Sequence, residues 1–452
     1  MRWPAGDAWL RPSMLDVLKD TPIDTLILPL AAGQGAKPLM DEARRRGIAL
    51  VAFSDGPADP NAARAAGFDT VASPKASGGV IPWTPRGEMP RNSAAPVVAV
   101  TESVWPAVRS GRMMMEEEAT APPVEAGPTG LPWVDSNGWF IQMARVLVPG
   151  KGIWIVADPP AKLTTLRAET YALAVADAAA YGGRWILTLD EAFASGVAAA
   201  DSAALSDWKA IGGALRFFAA HQQWSAYEPI SVVGVVSDFH GDNEFLSTEI
   251  LNLLSRRQVP FRVYWKPALR PGTLAGLKMI IYADWQLPAG QLRTELEAFA
   301  KAGGLLVCTK ACGALARGAA VTAAHGRFQV YTLGSGRIAV STEDVMDPYV
   351  CAGDAQVLLS RRFDPVRLWN LGAANTYYAG STSGGGGVLE VLNYTRRPVS
   401  DMSIQFARTW RSARFWTLDA GEPKPLELVQ RPAGVEVHCP PFSVFCTLEL
   451  GG

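Results

Sequence analysis

The stretch that decides the fold is residues 230–340, where short apolar runs alternate with helical segments. The apolar runs are ISVVGVV at 230–236, FRVYW at 261–265, MIIY at 279–282 and LLVC at 305–308, and the helical segments are 243–257 and 291–302. Apolar runs of four to seven residues separated by helices of this length indicate βαβ units and a parallel sheet. We therefore predict a doubly wound α/β domain at residues 226–342.

Four motifs of this domain carry a family resemblance. They are LKMIIY at 277–282, the helix ending FAKAGG at 299–304, the strand LLVC and the turn GSGR at 334–337 before the strand IAV. Together they resemble the class I amidotransferase-like domain that follows the barrel in family 42 β-galactosidases and related glycoside hydrolases. In amidotransferases a nucleophilic Cys lies on a glycine-flanked elbow with His and Glu further on. Here Cys308 precedes Thr-Lys-Ala-Cys312 without a later His-x-Glu, so the resemblance implies a non-catalytic copy.

Residues 1–225 also alternate strands with helices. The predicted strands are 25–30, 48–53, 69–72, 96–101, 153–157 and 185–189, with a seventh near 131–134. Repeated βα units over this length fit a (β/α)8-type barrel, complete or incomplete. A Rossmann-like sheet is the alternative, but no G-x-G-x-x-G follows an early strand.

After residue 342 the pattern changes to short alternating runs separated by Gly, Pro and Asp. The runs are 388–394, 402–407, 413–418, 435–438 and 443–448. This spacing is typical of an antiparallel β-sandwich, which we predict at residues 343–452. It is similar to the C-terminal sandwich of many multidomain glycoside hydrolases.

Composition limits the class of protein. The 452 residues include 42 Lys and Arg against 43 Asp and Glu, so no overall field favours nucleic acid or acidic membranes. No run of 18 apolar residues indicates a membrane span. Five cysteines leave an odd thiol, and we expect buried strand cysteines, with no metal and no cofactor. The start has no apolar leader, which predicts a cytoplasmic protein, or a periplasmic or secreted one whose signal was removed.

Acidic residues follow several predicted barrel strands, where the chemistry of such barrels is located. They are Asp55, Glu102, Asp158, Asp190 and Glu191, and Asp135 lies between Trp133 and Trp139. Glycoside hydrolysis needs two carboxyl groups beside a sugar, and aromatic faces can stack on that sugar. Trp105, Trp133 and Trp139 are therefore candidate sugar-binding residues, with Asp55 and Asp158 beside them. Each strand-terminal acid has an alternative role as a cap of the following helix.

Counted from Thr25, Glu102 follows the fourth strand and Asp190 the seventh if one strand lies near 131. The family 42 enzymes place their acid/base and nucleophile glutamates after strands four and seven. The resemblance therefore implies Glu102 as acid/base, Asp190 or Glu191 as nucleophile, and Asp135 as a sugar ligand or substitute acid. Glu102 follows Thr101 where the family has Asn, and Asp190 precedes Glu191, so the sequence departs from the family pattern at both places.

Three functions remain open at this stage. The first is a glycoside hydrolase, the second is a non-catalytic carbohydrate-binding or assembly relative with the same domains, and the third is a thiol amidotransferase at Cys308. The expected partner is a carbohydrate, without nucleic acid or membrane. The family's central domain contributes to trimer contacts, so a homo-oligomer, dimer or trimer, is one expectation for Trp265, Tyr282 and Trp285; packing against neighbouring domains is the other.

Overall fold

The structure is a computed structural model that describes residues 1–33, 35–108, 113–115, 124–126, 133–160, 166–395, 397–418 and 421–452. The chain forms two compact units. The first comprises Met1–Ala107 and Asp135–Ala226, and the second comprises Val108–Val134 and Tyr227–Gly452. The second unit contains both the doubly wound sheet and the sandwich, and the division into domains at 225 and 342 stays a prediction.

Strands in the first half of the chain are short and mostly parallel. In chain order they are β1 (Thr25–Pro29), β2 (Ala49–Phe53), β3 (Thr70–Ser73), β4 (Ile81–Thr84), β5 (Val97–Val100), β6 (Ala107–Val108), β7 (Met113–Met115), β8 (Val124–Ala126), β9 (Val134–Asp135), β10 (Gly152–Ile155) and β11 (Arg184–Trp185). A seven-stranded parallel sheet has the order β1-β2-β3-β4-β5-β10-β11. Its apolar interior includes Ile27, Val51, Ala72, Trp83 and Val156.

The helices of this unit cover the sheet unevenly. They are α1 (Lys37–Arg45), α2 (Pro60–Ala65), α3 (Gly138–Leu147), α4 (Ala168–Ala179), α5 (Glu191–Ala198) and α6 (Ser202–Ala220), with 3-10 helices at Pro12–Leu18, Leu30–Ala32, Arg86–Glu88 and Gln222–Ala226. The connection from β3 to β4 is only residues 74–80, and that from β4 to β5 contains a single 3-10 turn. The layer of helices around the barrel is therefore incomplete, in agreement with one of the two forms of barrel that the sequence predicted.

The first residues of the chain join the two edges of this sheet. The N–H of Arg2 donates to the carbonyl of Leu187, just after β11, at 2.9 Å. On the other side Arg2 forms a parallel bridge with Ile27 of β1, and the N–H of Trp3 donates to the Ile27 carbonyl at 2.9 Å. Hydrogen bonds to both edges close the sheet into a barrel.

The strand prediction for the barrel was wrong at one place and lies partly outside the described residues at another. The sequence analysis missed β4, whose run IPWT contains a proline and follows two glycines, both signals of a turn rather than a strand. The strand predicted near 131–134 falls partly on residues 131–132, outside the described residues, and β9 is not part of the barrel sheet. Counted from Thr25, Glu102 therefore follows the fifth strand and not the fourth, whereas Asp190 follows the seventh.

The second unit begins with the doubly wound sheet that the sequence predicted. It is preceded by β12 (Glu228–Pro229), which pairs with the sandwich. The elements of this part are β13 (Val233–Ser237), α7 (Glu244–Arg256), β14 (Arg262–Trp265), β15 (Met279–Tyr282), α8 (Gly290–Lys301), β16 (Leu305–Cys308), β17 (Val321–His325), β18 (Phe328–Leu333), β19 (Gly336–Ser341) and α9 (Pro348–Leu359). The order is β14-β13-β15-β16-β19-β18-β17, parallel from β14 to β19 and antiparallel in the last hairpin. Single 3-10 turns lie at Gly241–Asn243, Lys266–Ala268 and Lys310–Ala316.

The glycines of the AGG and GSG motifs let α8 pack closely on this sheet. Gly334 has φ +61°, a left-handed conformation that side chains rarely adopt. A Cβ on Gly336 would lie 2.1 Å from the carbonyl oxygen of Ala300, and one on Gly304 would lie 2.4 Å from the Phe299 ring. These motifs therefore have a packing role.

The sandwich follows in the same unit. Its strands are β20 (Val366–Trp369), β21 (Ala374–Gly380), β22 (Gly386–Asn393), β23 (Met402–Phe406), β24 (Ser412–Thr417), β25 (Lys424–Leu426), β26 (Val429–Arg431), β27 (Gly434–Cys439) and β28 (Phe445–Gly451), and a 3-10 turn lies at Arg361–Phe363. Two antiparallel sheets, β12-β21-β22-β28-β24-β25 and β20-β23-β27-β26, enclose a core that includes Leu389, Ile404, Trp410 and Phe415.

Three further observations bear on the sequence predictions. Tyr282 is only 1% exposed and packs in the core beneath the sheet, so it is not a surface anchor. Trp265 and Trp285 are half-buried. Among the described residues no helix is long and apolar enough to cross a membrane.

Candidate functional site at the mouth of the barrel

A cavity of about 880 Å³ lies at the carboxyl ends of the barrel strands. Its lining includes residues that end or follow a strand: Pro29 at the end of β1, Phe53 at the end of β2, Asp158 after β10 and Leu189 after β11. The segment that closes the barrel contributes Arg2 and Trp3. This face of a (β/α)8 barrel is where catalytic side chains converge.

Among the described residues, four charged side chains line the cavity: Arg2, Asp7, Asp158 and Glu191. Arg2 Nη1 donates to Asp158 Oδ1 in an ion pair. The guanidinium carbon of Arg2 also lies 6.0 Å from the centre of the Phe53 ring and 5.9 Å from that of Trp83. Aromatic faces attract a guanidinium, so Arg2 is held by the rings on one side and by Asp158 on another.

Two tryptophans form an apolar wall of the cavity. Trp3 and Trp9 pack edge to face with their ring centres 5.0 Å apart, and the indole N–H of Trp3 donates to the carbonyl of Trp9 at 2.7 Å. Both side chains are buried, so they shape the wall rather than offer an open stacking platform. The sequence analysis missed Arg2, Asp7 and these tryptophans, because a single bridge at Arg2 gives no periodic signal. The hint in the sequence was the density of Arg, Trp and Asp in the first nine residues.

Glu102 and Asp135 belong to a different group, around Arg86. Glu102 is exposed after β5 with φ +57°, a conformation that is strained for a residue with a side chain. Burial lowers the pKa of Arg86 to about 10, while the charges of Asp177, Glu102 and Asp135 act in the opposite direction. These carboxylates are thus close enough to Arg86 to affect its pKa. Glu102 and Asp135 both act on Arg86, whereas Asp158 and Glu191 both line the cavity.

A buried amide fixes the loop that carries Glu102. Asn137 Oδ1 accepts from the N–H of Val104 at 3.0 Å, and Asn137 Nδ2 donates to the Val104 carbonyl at 2.9 Å. The same side chain donates to Asp177 Oδ2 at 2.8 Å and accepts from Arg86 Nη2 at 2.7 Å. Asn137 and Asp177 are fully buried. This network was not predicted, because a Ser-Asn-Gly sequence reads as a turn.

Asp190 is a helix cap in this structure. Its Oδ1 accepts from the N–H of Phe193 at 3.0 Å at the start of α5, and its Oδ2 accepts from the hydroxyl of Tyr171 at 3.0 Å. Only 8% of the residue is exposed. The neighbouring Glu191 lies in the first turn of α5, is exposed and reaches the cavity.

The remaining predicted residues have packing or surface roles. Asp55 is exposed in the bend after β2. The indole N–H of Trp105 donates to the carbonyl of Asp158 at 2.7 Å, and the Trp105 ring packs edge to face on Tyr171 and Trp185. Trp139 is 7% exposed against Phe140. Trp133 groups with the second unit, where the Arg256 guanidinium lies 3.5 Å from the centre of its ring.

No metal centre is recognisable within the described residues, since no group of three or more His, Cys, Asp or Glu side chains is placed to hold an ion. In the second unit, Cys308 is fully buried and its Sγ contacts the carbonyl of Ala339. Burial raises the pKa of the Cys308 thiol well above its usual value. That environment is typical of a structural cysteine and disfavours a thiolate nucleophile.

Comparisons with known proteins identify the architecture. No family model matches the sequence, and a search of the curated proteins finds no match. Among solved structures, α-L-fucosidase isoenzyme 2 from Paenibacillus thiaminolyticus matches with a TM-score of 0.51 at 11% identity, over 98% of this chain and 80% of that one.

A β-galactosidase from Bacillus circulans sp. alkalophilus matches with a TM-score of 0.48 at 11% identity, over 93% of this chain and 66% of that one. One from Rahnella sp. R3 matches with a TM-score of 0.44 at 11% identity, over 92% and 65%. The chain thus spans about two thirds of the length of these β-galactosidases. At these identities the likeness concerns the fold alone, and the fold shared with the α-L-fucosidase comprises a parallel barrel with an incomplete helical layer, a doubly wound sheet and a β-sandwich.

Proposed function

We propose that this chain is a glycoside hydrolase that binds carbohydrate in the cavity at the carboxyl ends of its barrel strands. The observation that carries the proposal is that two strand-end carboxylates, Asp158 and Glu191, line one cavity together with Arg2. Glycoside hydrolysis needs one carboxyl group as acid and a second as nucleophile or base. The shared fold with an enzyme named as an α-L-fucosidase supports carbohydrate as the ligand class.

The environments of the two carboxylates suggest their roles. Asp158 is held in place by its ion pair with Arg2, which suits the nucleophile or base. Glu191 is exposed at the cavity and, among the described residues, has no recorded ion-pair partner. We therefore assign Glu191 the role of general acid, since it is the carboxyl group of this pair that Arg2 does not hold. Glu102 and Asp135 around Arg86 are the competing pair.

Release of the aryl group from a panel of nitrophenyl glycosides tests this assignment. We expect Asp158→Asn and Glu191→Gln each to lower kcat by roughly 100-fold or more, as loss of a positioned acid or base does. Asp41→Asn, an equal charge change on the outer helix α1, is the matched control and should leave kcat unchanged. If both cavity variants keep full activity while Glu102→Gln loses it, the acid lies in the group around Arg86 and the cavity assignment is wrong.

A second candidate function is carbohydrate binding without hydrolysis. It is favoured by Asp190, one of the acids predicted to act as nucleophile, whose carboxylate is occupied by Phe193 and Tyr171. Binding of a sugar, seen as a change in tryptophan fluorescence from Trp3 and Trp9, without release of the aryl group from any glycoside, would support this candidate over hydrolysis. Turnover that Asp158→Asn abolishes would exclude it.

A further inference from the structure

The cavity at the carboxyl ends of the barrel strands is larger than a single sugar ring needs. Its volume of about 880 Å³ lies near the top of the range of about 300–1,000 Å³ that is usual for sites of drug-sized ligands. A glycoside has two parts, the sugar and the leaving group that hydrolysis releases. The side chains around the cavity therefore bear on both parts.

A polar group of side chains in the lining fits the sugar. Arg2 and Asp158 form an ion pair, and Thr188 follows Leu187, whose carbonyl accepts from the N–H of Arg2 at 2.9 Å. Thr188 Oγ1 is buried and, within the described part of the chain, has no hydrogen-bond partner. A buried hydroxyl without a partner is costly, and a sugar hydroxyl in the cavity would satisfy it.

The helix α5 forms another part of the lining and carries the proposed general acid. Glu191 is its first residue, and the side chains of Ala194, Ser195 and Ala198, which we call the α5 wall, line the cavity with it. Positions i, i+3, i+4 and i+7 share one face of a helix, so the acid and the α5 wall face the ligand together. A general acid protonates the glycosidic oxygen, from which the leaving group extends. The leaving group therefore lies along the α5 wall.

Apolar side chains accompany the α5 wall in the lining of the cavity. Leu189, which precedes the cap of α5, is buried there, as are Ile27 and Leu28 of β1. Of the α5 residues that line the cavity, Glu191 and Ser195 alone have polar side chains. A second sugar unit presents several hydroxyl groups, each of which needs a partner when it leaves water. The α5 wall supplies a single hydroxyl for them, whereas an apolar leaving group needs none.

We infer that the substrate is a glycoside of an apolar alcohol, aryl or alkyl, and not an oligosaccharide. The inference rests on the proposed function, in which Glu191 is the general acid. In that reaction the glycosidic C–O bond breaks, Glu191 gives its proton to the oxygen, and the alcohol leaves along the α5 wall. Water supplies the hydroxyl of the freed sugar and returns a proton to the carboxyl pair. The α5 wall favours a leaving group that covers it with apolar surface.

Alkyl glycosides of increasing length measure this preference, because their alcohols differ in apolar surface and hardly in leaving ability. Each methylene that is fully removed from water raises affinity roughly 4-fold. For the sugar that the nitrophenyl panel identifies, we expect kcat/KM of the hexyl glycoside to exceed that of the ethyl glycoside roughly 10-fold or more, with about half of the added surface buried. The same sugar joined to glucose should have a lower kcat/KM than the hexyl glycoside. Chromatography of the released sugar measures all three.

Variants on α5 test whether this wall makes the selection. Ala198→Gln places an amide in the wall and should lower the hexyl-to-ethyl ratio of kcat/KM. Ser195→Leu replaces the hydroxyl of the wall by apolar surface and should raise the ratio, so the test does not depend on one variant that has to fold. Ala192→Gln, at an exposed position of α5 outside the lining, is the matched control and should keep the ratio of the unmodified protein.

The outcomes separate the inference from the proposed function. If Glu191→Gln abolishes hydrolysis but the disaccharide is the better substrate, or ethyl and hexyl glycosides react alike, the inference is wrong and the proposed function stands. A hexyl-to-ethyl ratio that neither Ala198→Gln nor Ser195→Leu changes also overturns the inference, since another surface then makes the selection. If no glycoside of any kind is hydrolysed, the proposed function fails and the inference fails with it.

Discussion

Asp190 and Tyr171 are joined by two hydrogen bonds of opposite direction. The Tyr171 hydroxyl donates to Asp190 Oδ2 at 3.0 Å, and the N–H of Asp190 donates to the same hydroxyl at 2.8 Å. Burial raises the pKa of Tyr171, so the phenol stays protonated and available as a donor. Asp190, which follows β11, is thereby bonded to α4 as well as to the start of α5.

We expect Asp190→Ala to destabilise the first unit by about 2–4 kcal/mol. The lost helix cap accounts for ~1 kcal/mol and the unsatisfied buried hydroxyl of Tyr171 for most of the rest. Urea unfolding followed by tryptophan fluorescence measures this change. Asp201→Ala removes the cap of α6 without leaving a second buried group unsatisfied. This comparison variant should lower the free energy of unfolding only by the contribution of the cap, ~1 kcal/mol. A fully stable Asp190→Ala that has lost hydrolysis would instead make Asp190 a catalytic residue.

Most barrel strands could be predicted because they are apolar runs bounded by helices, and the same holds for the doubly wound sheet and the sandwich. Two pieces escaped. The strand β4 contains Pro82 after a glycine pair, and the closing segment at Arg2 is recognisable only from its hydrogen bonds to Ile27 and Leu187. Closure of a sheet depends on tertiary contacts, which no local pattern encodes.

The candidate site was predicted only in part, for a related reason. Asp158 and Glu191 could be found because an acid after a barrel strand lies at the active face. Asp190 and Glu191, which are adjacent in sequence, show what the sequence pattern leaves undecided. Asp190 is a buried helix cap, whereas Glu191 lines the cavity. The separation of Glu102 from Asp158 depends on the path of the loop after β5, which Asn137 fixes from 33 residues away.

Replacing Asn137 should loosen the loop that carries Glu102. Asn137→Ala leaves the N–H and carbonyl of Val104 without their side-chain partner and removes the shared contact of Arg86 and Asp177. We expect a loss of about 3 kcal/mol or more, since each buried polar group left unsatisfied costs about 1–3 kcal/mol. Urea unfolding tests it against Asn92→Ala, an exposed loop position where the change should stay within ~0.5 kcal/mol. Equal stability of the two variants would contradict the role of the network.

Association of the second unit is a prediction that its surface supports. Phe245, in the first turn of α7, is 70% exposed, and Leu287, which follows Trp285, is 37% exposed. Trp285 is bonded to Asp242 and Asn243 just before α7, so the segments that carry Leu287 and Phe245 are adjacent. Exposed apolar patches often mark interaction sites.

Light scattering should therefore give a multiple of the 48.3 kDa chain mass. Phe245→Ser should shift the mass toward that of one chain, because it removes the most exposed aromatic side chain of the patch. Val357→Ser, at a position 61% exposed on α9, is the matched control and should leave the mass unchanged. A mass near 48.3 kDa at every concentration would exclude the oligomer.

Glu390 makes the stability of the sandwich depend on pH. It is 2% exposed on β22, opposite Tyr377 on β21 and Thr447 on β28, and it accepts a hydrogen bond from Thr447 Oγ1. Burial raises the pKa of Glu390 from 4.5 to about 8, against the lowering effect of the Thr447 bond. Between these two values the folded state holds a proton that the unfolded state has lost, so stability is highest at the acid end and falls as pH rises toward 8.

Replacing Glu390 by Gln keeps the shape of the protonated acid and removes this dependence. We expect Glu390→Gln to equal the unmodified protein near pH 4.5 and to be more stable by about 2–4 kcal/mol at pH 9, from ~1.4 kcal/mol per unit of pKa difference, discounted for relaxation. Urea unfolding at a series of pH values measures it, with the exposed Glu427→Gln as the control that should show no such difference. Thr447→Val, which removes the bond that favours the charged form, should extend the loss of stability to higher pH. If Glu390→Gln follows the pH profile of the unmodified protein throughout, the group that takes up the proton lies elsewhere.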